Sequence, residues 1–158
     1  MPQKSFARLR RKQVDALLGT LAPLRQVTQP SRGWIREIRT TLGLTTAQLA
    51  ERLGLSQAGV SQLERREAAG SVTLNSLNTA ADALGCDLVY ALIPRAGSLS
   101  AVMEERARAI ATAAVGRVSH TMRLEDQAVS AAAVQDQIEE LTRDLLDNPR
   151  ALWSGDVG

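Results

Sequence analysis

The sequence predicts a mainly α-helical protein: an N-terminal helix, a compact helical bundle, one short strand and a helical extension at the C-terminus. Three observations carry that expectation. Aromatic residues are only 3% of the 158 residues while hydrophobic residues reach 44%, so Leu, Ala and Val must fill the core. Most apolar residues recur at intervals of three and four, the period of one helix face. That period changes once, at "GCDLVYALIP", where Leu88, Tyr90 and Leu92 alternate with Val89, Ala91 and Ile93 before Pro94 ends the run.

Each element follows from local pattern. "KSFARLRRKQVDALLGTLAPL" places Phe6, Leu9, Val14, Leu17, Leu18 and Leu21 at roughly helical spacing between basic residues, which predicts a helix over about 5–20. "RQVTQPSRG" reads as a linker marked by Pro30 and Gly33. "WIREIRTTLG" predicts a helix ending at Gly43, with Trp34, Ile35, Ile38 and Leu42 along one side. Further helical patterns run over about 46–53, 57–66 and 74–84. The alternation over about 86–93 predicts a strand covered on both faces. A lone strand leaves its edges unpaired, and the simplest partner is its own copy across a two-fold axis, hence a homodimer. A buried end of the preceding helix is the alternative. "LSAVMEERARAIATAAVGRVSHTM" and "DQAVSAAAVQDQIEELTRDLLD" predict two long helices broken near "RLED" and ending before Pro149, with Trp153 as an apolar anchor beyond. The expected organisation is a basic N-terminal helix and linker over 1–30, a bundle over 31–85, a dimerising strand over 86–94 and a partner-binding helical region over 95–158.

Charge is uneven along the chain. The formal net charge is +2, yet residues 1–40 hold nine Lys/Arg against two acids, a local +7. Residues 100–158 hold six Arg against ten Asp/Glu, a local −4. A basic front approaches a polyanion and an acidic back is repelled by it. Cys86 is the single cysteine, which excludes an internal disulfide and fits a reducing compartment. With no apolar leader and no membrane-length segment, the expected location is the cytoplasm. His120 and Cys86 are 34 positions apart, with no metal-ligand spacing around either. There is no glycine-rich phosphate loop and no nucleophile elbow. The expectation is a protein without catalytic residues, metal or cofactor.

"TTAQLAERLGLSQAGVSQLERRE" carries the functional signal. Two helices crossing at a tight turn need a small residue at the crossing, here Ala50, and one tolerant of positive φ at the turn, here Gly54. Leu49, Leu53 and Leu55 are expected to point inward, with Val60 and Leu63 as the inner face of the second helix. Thr45 and Ser56 stand at the two N-cap positions. That is the pattern of a helix-turn-helix. Gln57, Ala58, Ser61, Gln62 and Arg65 are left outward on the second helix. Gln makes bidentate pairs with adenine, and Ala contacts the thymine methyl in the major groove. Gly59, unfavourable inside a helix, would let the backbone approach DNA. Arg65 and Arg66 at the far end suit phosphates, as does Thr46 at a helix start with free amides. Read singly, each residue is solvated surface; together they favour readout of double-stranded DNA.

This segment resembles the Cro/repressor-type helix-turn-helix family over roughly 31–85. The resemblance implies a bundle of about five helices, and a structural ion pair between Arg39 and Glu64. The runs "RGWIREIRTTLG", "QLAERLG", "VTLNSLNTAADALGCDLVYALIP", "VSHTMRLEDQ" and the terminal "LW" resemble the family called mobile mystery protein A over nearly the full length. Members of that family are typically encoded beside a partner with a Fic domain and behave like antitoxin-type regulators. Fic nucleotidyltransferases are restrained by a helix bearing [S/T]-x-x-x-E-[G/N], whose glutamate pairs with an active-site arginine. Thr121 and Glu125 in "TMRLED" have the matching spacing, although Asp126 stands where the pattern has Gly or Asn. "SAVMEE" repeats the spacing at Ser100 and Glu104 with the same kind of departure. The expected function is therefore a sequence-specific, dimeric transcriptional regulator and antitoxin of a Fic-domain toxin. The alternatives are a stand-alone phage-type repressor whose C-terminal helices only oligomerise, and a partner-binding protein that has lost DNA readout.

Overall fold

The computed structural model describes residues 2–124 and 130–154, with side chains over 5–118 and 130–154. Among the described residues there are eight α-helices: α1 (Pro2–Leu21), α2 (Trp34–Thr41), α3 (Thr46–Leu53), α4 (Gln57–Ala68), α5 (Leu74–Ala83), α6 (Leu99–Leu124), α7 (Ala131–Asp147) and α8 (Pro149–Trp153). A short 3₁₀ segment, Ala22–Gln26, follows α1. The chain divides into two compact units, Leu24–Ala91 and a second that joins Met1–Pro23 to Leu92–Gly158. The N-terminal helix, expected as a separate basic segment, thus shares a unit with the C-terminal helices.

In the first unit α2–α5 enclose a core of Ile35, Leu49, Ala50, Val60, Ala80 and Leu84. Leu49 and Val60 are fully buried, and each such side chain contributes about 1.5–3 kcal/mol relative to exposure. Thr45 opens α3 with a reciprocal cap: its hydroxyl accepts from Gln48 N, and the Gln48 side chain accepts from Thr45 N. Ser56 caps α4 by accepting from Gly59 N at 3.0 Å. Between them Gly54 adopts φ +63, the left-handed conformation that ends α3 and directs the chain into α4.

Two expectations are corrected here. Residues 86–94 carry no regular structure, and no strand occurs among the described residues. The single chain offers that segment no neighbouring strand, so its backbone groups have no ladder to join. Leu55 does not point inward; it is 47% exposed, because the turn that follows Gly54 carries it out of the crossing while its N–H bonds Ala50 O at 2.9 Å. On α2 Ile35 and Arg39 are buried and Ile38 partly so, whereas Trp34 and Leu42 are exposed. Trp34 opens this eight-residue helix and Leu42 follows its last residue, Thr41.

In the second unit α6 and α7 pack along a row of Met103, Ala107, Ala111 and Val115, all buried and spaced by four. Small residues in such a row let a neighbouring helix approach closely. Leu152 of α8 is fully buried beside Met103 and Ala107. Arg106 fastens this end twice: its Nε donates to Leu152 O at 2.7 Å, and its guanidinium lies 4.8 Å from the Trp153 ring centre. At the other end Asp15 of α1 accepts from the N–H groups of Leu99 (2.6 Å) and Ser100 (3.2 Å) and from the Ser100 hydroxyl (2.7 Å). The first turn of α6 is thus capped twice, locally by the Ser98 hydroxyl, which accepts from Ala101 N at 3.0 Å, and by Asp15 from a helix 84 positions earlier.

Candidate nucleic-acid interface

The second helix of the helix-turn-helix is α4, and the groups behind it fix its attitude. Arg39 on α2 donates from Nε to Glu64 Oε1 at 2.6 Å and from Nη2 to Glu64 Oε2 at 3.3 Å. Its third bond goes from Nη1 to Leu44 O at 3.0 Å. Both side chains are nearly buried, so this two-pronged pair ties α2, the α2–α3 turn and α4 together.

A second carboxylate on the same face of α4 has no counterpart in the sequence-based expectation. Glu67, 5% exposed, accepts from the N–H groups of Trp34 and Ile35, both at 2.9 Å. It serves as the cap that α2 lacks, because Gly33 precedes α2 with no side chain to offer. Gly33 has φ +83, and a Cβ built there would stand 2.6 Å from Glu67 Oε2. The sequence holds two signals of this contact: a helix opening without a capping residue, and an acid three positions after Glu64. Neither names its partner, since the contact spans 33 positions.

On the opposite side of α4, Gln57, Ala58 and Gln62 are exposed, as is Arg65, while Ser61 is half-buried. The side chains of Gln57, Gln62 and Arg65 make no hydrogen bond among the described residues and present their polar ends outward. Arg66 is also exposed, but its Nη2 donates to Ser71 O at 3.2 Å, and the Ser71 hydroxyl donates back to Arg66 O. Arg66 therefore closes the turn after α4, leaving Arg65 as the freer cation. Thr46 is half-buried at the start of α3. Gly59 has a local reason besides any approach to DNA: a Cβ there would lie 3.3 Å from the Ser56 hydroxyl that caps the helix.

The candidate inhibitory residues fall elsewhere. Thr121 lies within α6, its side chain outside the described set, and Glu125 lies outside the described residues. The parallel spacing at Ser100 and Glu104 is committed locally, because the Ser100 hydroxyl bonds Asp15 and accepts from Arg11 Nε. Cys86 is half-buried with Sγ 3.7 Å from Leu84 O. Among the described residues no three His, Cys, Asp or Glu side chains gather as a metal site. None of the described helices is long and apolar enough to cross a membrane.

A buried crossing at Ala50, a left-handed Gly54, capped starts on both helices and an outward polar face on α4 define a helix-turn-helix domain. Residues 35–90 match the family described as Helix-turn-helix. That match supports a DNA-binding transcriptional regulator. The search of curated proteins and the search of solved structures each returned no match for the chain.

Proposed function

We propose that the protein is a sequence-specific regulator that reads its operator as a homodimer and acts as the antitoxin of a Fic-domain toxin. The observation that carries operator readout is α4 itself. Its inner face is fixed by Val60 and two buried carboxylates, while its outer face offers Gln57, Ala58, Ser61 and Gln62 to base edges and Arg65 to phosphate. A rigid helix with free amide side chains suits the major groove, where a bidentate Gln–adenine pair discriminates by about 1–3 kcal/mol. Thr46 and the α3 start supply a further phosphate contact. Gln57→Ala and Gln62→Ala are each expected to weaken operator binding by about 1–3 kcal/mol, measured by titration on the DNA upstream of the gene. Unchanged affinity in both variants would remove α4 as the reader.

Homodimerisation is supported by the segment after α5. Val89, Tyr90 and Leu92 are 69%, 70% and 86% exposed, an apolar surface that a second copy seated there would cover. Two copies also suit the two half-sites of a symmetric operator.

The antitoxin role rests on the resemblance to the mobile mystery protein A family, and the part given to Thr121 and Glu125 rests on their spacing. In this reading Glu125 would pair with a toxin arginine, a charge-assisted contact strengthened by desolvation. Glu125→Gly should release nucleotide transfer by a co-expressed Fic-domain partner, read as modification of its target. Continued silence with the complex intact would count against Glu125.

A further inference from the structure

The second unit holds a groove of about 950 Å³ lined by five cationic side chains, four of them without an internal partner among the described residues. Arg8, Arg11 and Lys12 line it from α1, and Arg143 and Arg150 from α7 and α8. Only Glu104 and Asp147 oppose these five cations in the lining, leaving a local charge of +3. Arg8, Lys12, Arg143 and Arg150 are exposed, and their side chains form no hydrogen bond or ion pair among the described residues. Arg11 is held in position, with Nε donating to Ser100 Oγ at 3.3 Å and Nη1 to Met103 Sδ at 3.0 Å. A thioether is a weak acceptor, so the outer edge of that guanidinium keeps donor capacity.

We propose that this groove binds the phosphate backbone of DNA, as a contact surface separate from α4. The proposal rests on the reading that the chain is a DNA-binding regulator. Residues at 8, 11 and 12 share one side of α1 by helical spacing, so three cations form a short row rather than a scatter. Ser5 and Asn148 add a hydroxyl and an amide to the lining, side-chain types that contact phosphate without reading sequence. An acidic protein segment is the rival occupant. The lining lacks the aromatic anchor around which protein interfaces concentrate their affinity, and its apolar members are Ala7, Met103, Leu146 and Pro149. The charge also resolves a conflict: the C-terminal region is acidic as a sequence, yet α1 brings its cations to the same unit.

The test uses the full-length chain carrying Arg8→Gln, Lys12→Gln and Arg143→Gln, three exposed positions whose side chains bear no structural bond. Binding to a mixed-sequence duplex is measured from about 50 to 200 mM salt. Each phosphate that the variant no longer neutralises should flatten the negative slope of log affinity against log salt by about 0.9, so the triple variant's slope should be about 2–3 smaller in magnitude than the parent's. Arg8→Lys with Arg143→Lys keeps the charges and should keep the slope. Operator preference, the ratio of operator to mixed-sequence affinity, should stay at the parent's value in the triple variant and fall in Gln57→Ala. A slope equal to the parent's overturns the proposal. So does a flattened slope that the lysine variant shares. Absence of operator preference in the parent would instead reject α4 as the reader, leaving the slope comparison standing.

Discussion

Both units solve one problem by the same means, and they differ in where the solution is kept. Each starts a helix on a carboxylate borrowed from another helix, but α2 has no cap of its own, whereas Ser98 already caps α6 by accepting from Ala101 N at 3.0 Å. In the helix-turn-helix unit Glu67 caps α2 from within the core, beside the buried Arg39–Glu64 pair. In the other unit Asp15 caps α6 from a partly exposed position. Burial makes the first arrangement costly to disturb, because a carboxylate deprived of its partners stays out of reach of water. The second can be rescued by solvent. In the helix-turn-helix unit the chain fixes helix angles with desolvated charge; in the other unit it relies on small residues and partly solvated caps.

The largest expected effect breaks the first arrangement. Glu64→Ala leaves the Arg39 guanidinium buried and unpaired, which should lower stability by about 3–5 kcal/mol in denaturant titration. Replacing both partners by apolar residues, Arg39→Met with Glu64→Leu, should recover most of that loss. If the double variant were as unstable as the single one, the pair would owe its worth to attraction and not to avoided burial of a lone charge.

A smaller effect sharpens the role of Glu67. Gly33→Ala sets a methyl group against Glu67 Oε2 at a positive φ, and should cost about 1–3 kcal/mol. Gly43 also has a positive φ, +70, but open space around the missing Cβ. Gly43→Ala should therefore show only the backbone component, about 1 kcal/mol. Equal losses at the two positions would mean that crowding on Glu67 contributes nothing.

The same contrast explains what is legible in the sequence. Ala50, Gly54, Thr45 and Ser56 act on neighbours a few positions away, so their residue types reveal both the turn and its caps. Gln57, Gln62 and Arg65 are readable as outward residues because helical spacing alone assigns their side. Glu67 and Asp15 are not, since each meets its partner across tens of positions and nothing local distinguishes them from solvated acids. The groove at α1 is hidden for a related reason: charge summed by sequence region separates the basic N-terminus from the acidic C-terminal helices, whereas the fold joins them. The run over 86–93 misleads because alternation describes a strand able to pair, and one chain alone supplies no partner. Leu55 misleads because a turn residue one step past a left-handed glycine no longer follows the helix period.

The smallest effect concerns Asp15, and it is read by pH. Partial burial raises the carboxylate's pKa, but the hydrogen bonds from the Ser100 hydroxyl and from the N–H groups of Leu99 and Ser100, with the charge of Arg11, outweigh it. The net result holds Asp15 below the ordinary carboxylate range in the folded protein. A depressed folded-state pKa means that the cap's contribution is fully present above the unfolded-state value. It is lost as pH falls through the folded-state value, when the proton added to Asp15 removes its acceptor charge. Asp15→Asn keeps a side-chain oxygen for the α6 start but has no charge and no titration. The melting temperature of the parent should exceed that of the variant near neutral pH, and the gap should close as the solution is acidified below the carboxylate range. Parallel melting curves across that range would show that Asp15 acts only through shape.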